Sequence, residues 1–484
     1  MTTPFFLPHS LPEREGIPSA ALADFYRYLD TIEHLHVVSV LRHGRIVSEG
    51  IWHPYGGGIP QQIFSLSKSF VSLAIGFAET EGRLRLDERV LDIFPEYDSP
   101  AIPEPTRELT LQNLLTMASG QAACPLNTFL HTPDPHPFTQ RFLEQPLQWK
   151  PGEHFQYNSA NTYVLSAAIL KRCGMDVVDY LMPRLFAPLG IERPEWMRDP
   201  QGIPLGGWGL YLPHEALRRF TLLLAQNGQW QGRQIVPPEY LATATSFHIQ
   251  NHDVNGNLDW SSGYGYQFWR CRHPGAFRGD GANGQSVVIV PDYDLALCCS
   301  SGFSNMGQLL EYFWERFLPA VSQESAPLPP DPAAQQALAE TLAGLAIPLP
   351  QGRPAVPPVP FGTYRLSDNP LGYETLDFSC DASGGALTLR KGDNAWQIPF
   401  GFGRWRHGNA PGLYGELLGP IAASAAWQDD ATLALKLCCL SETQVGHYQL
   451  RFEGTHLHLT RRFHLWFAHP ADDFAAQCTG ELLP

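Results

Sequence analysis

Lysine is scarce in this chain of 484 residues: five, at positions 68, 150, 171, 391 and 436, against 28 arginines. Cysteine is present but unpatterned. Its nine copies are odd in number and show no C-x-x-C spacing, which argues against a disulfide frame and a zinc site. Cys298-Cys299 and Cys438-Cys439 sit inside apolar runs and are expected to be small buried hydrophobes of a reduced compartment. No window reaches the ~18 uninterrupted apolar residues that a membrane helix needs. No basic block offsets the formal net charge of −15, so a nucleic-acid partner is not expected. The N-terminal stretch has no basic region, and Pro4 and Pro8 interrupt its apolar patch. The expectation is a soluble, cytoplasmic protein with no membrane partner. H-E-x-x-H, the P-loop and the G-x-S-x-G elbow are all missing, so neither a metal nor a cofactor is expected. Gly279, Gly281 and Gly284 fit G-x-G-x-x-G, but they lead into the strand-like Ser286–Val290 instead of a helix, as a dinucleotide site would require.

What the chain does hold is ample material for folding: 44% hydrophobic residues, 12% aromatic. Its length calls for two or three domains. A helical pattern over Ser19–His34 precedes a hairpin, His36–Leu41 and Ile46–Ile51, turning at Arg42–Arg45. Ser65–Glu81 is helical, apolar nearly all round, and so belongs at the centre of a domain. Helical segments follow near Thr110–Ala118, Ser159–Arg172, Val177–Leu185 and Glu215–Asn227. Strands are expected at Gly263–Trp269, Ala276–Arg278, Ser286–Val290 and Asp294–Ser300, then a helix at Met306–Phe317. The spacing divides the chain into a first domain over 1–321, a proline-rich linker over 322–360 and a β-rich domain over 361–484. The linker flanks a helical patch, Ala333–Leu345. In the last domain, strands are expected at Tyr373–Asp381, Gly385–Leu389, Trp396–Phe400, Thr432–Leu440, Gly446–Phe452 and Leu457–Phe463.

Only one lysine has a serine three residues ahead of it, in Ser65-Leu66-Ser67-Lys68 at the start of the apolar helix. At i and i+3 the two side chains share a helix face. A serine hydroxyl becomes nucleophilic when a neighbouring base takes its proton, and a buried lysine can be that base whereas an arginine cannot. Two further elements carry chemistry. Tyr157-Asn158-Ser159 offers a phenol that can shuttle protons and a hydroxyl within reach of Lys68 or a substrate. Gly279-Asp280-Gly281-Ala282-Asn283-Gly284-Gln285 offers backbone amides for an oxyanion.

The order and spacing of these three elements resemble the penicillin-recognising serine hydrolases: class C β-lactamases, DD-carboxypeptidases, β-lactamase-like esterases and 6-aminohexanoate-dimer hydrolases. Thr110–Gly120 (TLQNLLTMASG), Glu81–Tyr97 and Gly228–Pro237 resemble supporting segments of that family. The likeness covers roughly residues 15–320, and relatives often carry lipocalin-like C-terminal domains. It implies an α/β (α+β) domain with an antiparallel sheet flanked by helices and a helical lobe over roughly 85–250, then a small all-β barrel. It also implies Ser65 as acylated nucleophile, Lys68 as general base and Tyr157 as proton relay. Ser159 would contact Lys68 or substrate, and the amides of Ser65 and of the Gly281–Ala282 region would bind the oxyanion. Two departures stand out. Ser159 takes the place of the β-lactamase asparagine, as in 6-aminohexanoate-dimer hydrolases and some esterases. Arg278-Gly279-Asp280-Gly281 replaces Lys-Thr/Ser-Gly, leaving the carboxylate-gripping cation missing or replaced by Arg278. The expected substrate is therefore a small ester or amide. A β-lactamase or D-amino-acid peptidase is the alternative within the family, and an acylated sensor or inactive scaffold the alternative outside catalysis.

Overall fold

The computed structural model describes residues 7–252, 256–324, 326–353, 356–413, 418–463 and 476–484. Pro4 and, in the proline-rich stretch, residues 325, 354 and 355 lie outside them.

A six-stranded sheet organises the first half. Its strands are β1 (Leu35–Arg42), β2 (Arg45–Ile51), β3 (Trp269–Arg270), β4 (Phe277–Gly281), β5 (Gln285–Val290) and β6 (Leu295–Ser301). They lie in the order β2-β1-β6-β5-β4-β3 with every neighbour antiparallel. Alternation explains why the strands read as continuous apolar runs. Val287, Ile289, Ala296 and Cys298 face one core, and Val288, Val290, Leu295, Leu297 and Cys299 face another. Adjacent cysteines therefore point to opposite sides of the sheet, and all nine cysteines are free thiols.

The first core lies under α2 (Ser67–Thr80), α3 (Ser159–Cys173) and α4 (His214–Ala225), where Phe70 stacks on Phe220 at 4.0 Å. The second lies under α1 (Ser19–Leu29), the Gly307–Ala320 helical turns and α5 (Pro332–Gly344). α1 stops at Leu29, short of the expected His34: the Thr31 and Ile32 amides close tight turns on the Tyr28 and Leu29 carbonyls, and His34 takes a left-handed φ of 65° before β1. The strand expected at Gly263–Trp269 shrinks to Trp269–Arg270, since Gly263 (φ 103°) and Gln267 (φ 63°) both leave the extended region. The helical patch within the proline-rich stretch is α5, capped by Asp331, with Leu338 buried in the second core.

The C-terminal strands are β7 (Gly362–Leu366), β8 (Thr375–Asp381), β9 (Gly384–Lys391), β10 (Asn394–Phe402), β11 (Arg406–Asn409), β12 (Pro420–Trp427), β13 (Thr432–Cys439), β14 (Val445–Glu453), β15 (His456–Phe463) and β16 (Ala476–Leu482). Nine of them close into a barrel, β10-β9-β8-β7-β16-β15-β14-β13-β12, with β12 returning to β10 in parallel; β11 hangs on β12. β14 shows the alternation that makes such a wall: Tyr448, Leu450 and Phe452 point in, His447, Gln449 and Arg451 out. β12, PIAASAAW, is not among the expected strands: between Ile421 and Trp427 it holds only alanine and serine, which do not mark one. Its small side chains instead allow β10 and β13 to approach closely at the seam, where Ser424 donates to the Gly401 carbonyl at 3.2 Å.

The outer wall of the barrel packs on the first domain: Ala422, Cys438, Leu440 and Val445 share the second core with Tyr55, Cys299 and Phe303. Among the described residues no helix is long and apolar enough to cross a membrane.

Trp427 is fully buried against Phe378 and Phe452 at the end of β12, and its indole N–H has no hydrogen-bond partner among the described residues. Its contribution is therefore packing. Trp427→Ala is expected to cost about 3–5 kcal/mol in equilibrium urea unfolding, with Trp427→Phe losing clearly less.

Candidate active site

The nucleophile candidate sits on a strained turn. Phe64 adopts a positive φ of 45°, then Phe64–Leu66 form a 3-10 turn that runs into α2. Such a conformation costs on the order of 1–3 kcal/mol and persists only where the surroundings enforce it. Here Ser67 does so, donating its hydroxyl to the Phe64 carbonyl at 2.5 Å and accepting from the Leu210 amide at 3.2 Å. Ser65 is left half-buried at the mouth of a cavity while Lys68, one turn on, is 1% exposed.

Lys68 Nζ has three neighbours: Ser65 Oγ at 3.0 Å, Ser159 Oγ at 3.0 Å and the Gly207 carbonyl at 2.6 Å. The carbonyl can only accept. A neutral amine, with two N–H groups and one lone pair, can satisfy Gly207 and Ser159 and still receive the Ser65 proton. Burial favours that form, lowering the Lys68 pKa from its usual 10.5 to about 7. Gly207 must be glycine, because a Cβ there would meet the Ser159 backbone and side chain.

Tyr157 and Ser159 are delivered by the turn that opens α3. Asn158 caps the helix, its Oδ1 accepting from the Ala160 amide at 2.9 Å, and its Nδ2 donates to Gln121 Oε1 at 2.9 Å. Ser119 donates to the same Gln121 oxygen at 2.8 Å. The Thr110–Gly120 segment, itself started by a Thr110/Asn113 capping box, thus props the turn from below. Above it the Tyr157 ring stacks on Trp269 (5.4 Å, 28°) and lies 4.8 Å from Lys68 Nζ. Ser65 and Tyr157 both line the cavity. Burial, chiefly, holds the Tyr157 pKa well above the ordinary phenol value. Tyr157 is thus a proton donor at neutral pH, and Lys68 is the group suited to accept one.

The glycine-rich element leads into a strand as expected, and its first half is itself strand, so that it forms the end of a hairpin. β4 runs to Gly281, Ala282–Gly284 make the turn, and β5 leaves. Gly281 lies against the nucleophile turn so closely that a Cβ would collide with the Ile63 carbonyl and sit 3.1 Å from the Leu66 amide nitrogen. Gly281 and Ala282 line the cavity, but Arg278 does not. Its guanidinium is fully buried, paired with Asp280 at 2.7 Å, bonded to the Asp259 carbonyl at 2.8 Å and set over Trp260 at 4.6 Å. Two apart on β4, Arg278 and Asp280 share a face; Asp280 reaches the cavity, whereas Arg278 is covered by Trp260 and Trp269, which line it.

The cavity, about 1540 Å³, also takes in residues that the sequence gave no sign of: Gln62, Trp208, and Glu442 and Gln444 from the β13–β14 loop of the barrel. Gln62 Nε2 donates to both Glu442 oxygens at 3.2 and 3.0 Å, its amide to the Ser441 carbonyl at 2.9 Å, and Tyr211 donates its hydroxyl to Glu442. Asn283 donates to Thr443 Oγ1 at 2.9 Å. One barrel loop therefore touches both the nucleophile turn and the glycine hairpin. Contacts nearly 400 residues apart carry no local signature. Elsewhere, His214 is buried between Ser39 and Ser300, and His456 and His458 are exposed. Among the described residues no group of three or more His, Cys, Asp or Glu could hold a metal.

The Beta-lactamase family model matches residues 11–301, well over half of the chain. The chain belongs to the β-lactamase family. The match contains Ser65, Lys68, Tyr157, Ser159 and the 278–284 element and ends before the barrel. Among curated proteins, a D-aminopeptidase of Brucella anthropi is 28% identical over 177 residues, 34% of this chain and 33% of that protein, so the likeness spans only a third of its length. Among solved structures, a candidate 6-aminohexanoate-dimer hydrolase from Bacillus anthracis superposes with a TM-score of 0.53 at 21% identity, covering 65% of this chain and 87% of the other. A penicillin-binding-protein homologue from Caulobacter crescentus gives 0.50 at 18% identity, covering 64% and 99%. At those identities the two structures speak to the fold.

The capping role of Asn158 has a direct check. Asn158→Ala is expected to cost about 1–2 kcal/mol of stability, read as a lowered midpoint in thermal unfolding.

Proposed function

We propose that this member of the β-lactamase family is a serine hydrolase that cleaves ester or small amide bonds through a covalent acyl-enzyme on Ser65. The observation that supports the reading is the environment of Lys68: a buried amine of depressed pKa, 3.0 Å from a serine hydroxyl. In this reading Ser65 Oγ adds to the substrate carbonyl carbon as neutral Lys68 takes its proton. The amide nitrogens of Ser65 and Ala282 hold the oxyanion, a role favoured by the seating of Gly281 against the nucleophile turn. The tetrahedral intermediate expels its leaving group, which takes the Tyr157 proton. The proton that Lys68 took from Ser65 then replaces the one the phenol gave up, the ammonium lying 4.8 Å from the Tyr157 ring. Water then attacks the acyl ester, gives its proton to the same pair, and the acid leaves with Ser65 restored. Ser159 and the Gly207 carbonyl hold the amine with its lone pair toward Ser65.

Ser65→Ala is expected to lower kcat for p-nitrophenyl acetate by about 10⁶-fold, and near wild-type turnover by that variant would refute the assignment. Lys68→Arg is expected to be nearly as damaging although it keeps a positive charge, because guanidinium cannot act as the base. The sign of the pH dependence follows from Lys68. Below pH about 7 the amine holds a proton and cannot take another, so kcat/KM for a neutral ester should rise with pH through that value and then level. A profile flat between pH about 5.5 and 8.5, straddling that value, would remove Lys68 as the base.

A further inference from the structure

Tyr157 belongs to no helix or strand, yet a proton donor has to keep its place. The chain on both sides of it is bonded to one residue, Met117. The Gln156 amide donates to the Met117 carbonyl oxygen at 2.8 Å, and the Asn158 amide donates to Met117 Sδ at 3.4 Å. Asn161 Nδ2 donates to the same sulfur at 3.8 Å. Met117 is fully buried and packs on Tyr264 and Trp269, with the Tyr157 ring against the same cluster. Asn158 is fully buried as well, and its side chain is already engaged by Ala160 and Gln121. Among the described residues, the acceptor for its backbone N–H is that sulfur. A thioether accepts weakly, but a buried N–H with no acceptor is costly. Met117 stands there with a left-handed φ of 58°, a conformation that persists only where the surroundings enforce it.

The geometry points to Met117 as a positioning residue: its carbonyl and its sulfur fix the peptides on either side of Tyr157, and so hold the phenol where a leaving group collects its proton. This deepens the serine-hydrolase reading and rests on it, through Tyr157 as the donor. Met117 itself does not line the cavity. Any residue could supply the carbonyl. The sulfur is particular to methionine, since leucine fills a similar volume but has no lone pair to offer. With leucine, the buried Asn158 N–H loses its acceptor, and the peptide that joins it to Tyr157 is free to turn. A displacement of about 1 Å in a reacting group is enough to cost on the order of 10²-fold in rate. Here the loss would fall on one step, protonation of the leaving group. Lys68 and Ala282 stand on other elements, α2 and the glycine hairpin, so addition to the carbonyl is spared.

The test compares two acetate esters on the full chain, with acid release followed in a pH-stat. p-Nitrophenolate departs without a proton, whereas the alkoxide of benzyl acetate needs one. Both esters give the same acetyl-enzyme, so the benzyl-to-nitrophenyl ratio of kcat/KM isolates departure of the leaving group. In Met117→Leu that ratio should fall at least about tenfold below the wild-type ratio. In Tyr157→Phe it should fall about 10²-fold or more, and adding Met117→Leu to that variant should lower it no further. An unchanged ratio in Met117→Leu, with both esters slowed alike, overturns the proposal and leaves the hydrolase reading intact; so does a further fall in the double variant. If Met117→Leu does not fold, norleucine in place of methionine removes the sulfur at unchanged chain length. It is read against a protein carrying Met197→Leu and Met306→Leu, which controls for the two methionines on the cavity lining, and the same fall or its absence decides. A wild-type ratio in Tyr157→Phe, or a wild-type protein inert toward benzyl acetate, removes the phenol as donor and the proposal with it. If neither ester is turned over and Ser65 is not acylated, the hydrolase reading itself fails.

Discussion

An amine in a dry place, its pKa brought down by burial, is the constraint around which the family domain is arranged. Lys68 loses hydration by sitting on a helix buried on every side, and the protein replaces that hydration with one carbonyl and two hydroxyls. Each of those three partners arrives from a different part of the chain. Ser65 comes from a strained turn, Ser159 from the first turn of α3, and the Gly207 carbonyl from a glycine pair that can lie on that helix without steric conflict. Moving any one of them would leave a buried amine with an unmet donor or an unopposed charge, both costly. The neighbouring phenol is affected by the same burial in the opposite sense, which sets the proton affinities of the two groups apart.

The second organising fact is that the cavity is not closed by the family domain alone. The β13–β14 loop reaches Gln62 on one side and Asn283 on the other, so the barrel contacts both elements that flank Ser65. The junction beneath it is apolar, with Cys438 and Leu440 set into the second core. A barrel held through apolar packing and several buried hydrogen bonds is a fixed wall of the cavity and not a loosely tethered appendage.

Much of this was legible in the residues. The i, i+3 relation of Ser65 and Lys68, the apolar run that buries the lysine, and the order of the three chemical elements are local or strictly sequential features, and they led to the right fold. The barrel was legible as alternation in β8–β10 and β13–β15. It was illegible at β12, where alanines stand in for strand formers because the seam needs small side chains. Arg278 misled for a different reason: a motif can place a cation on the right face of a strand, but only tertiary packing decides whether other side chains cover it. Trp260 and Trp269 cover Arg278, which is left to balance Asp280.

The sequence by itself determined the chemistry available, since a serine, a lysine without water and a tyrosine in that order admit few other uses. Only the tertiary structure decided the electrostatic character of the cavity those groups serve. Which carboxylates face it, and which cations are covered by other side chains, depends on tertiary packing and on a loop entering from nearly 400 residues away, and neither is encoded in any short stretch of chain.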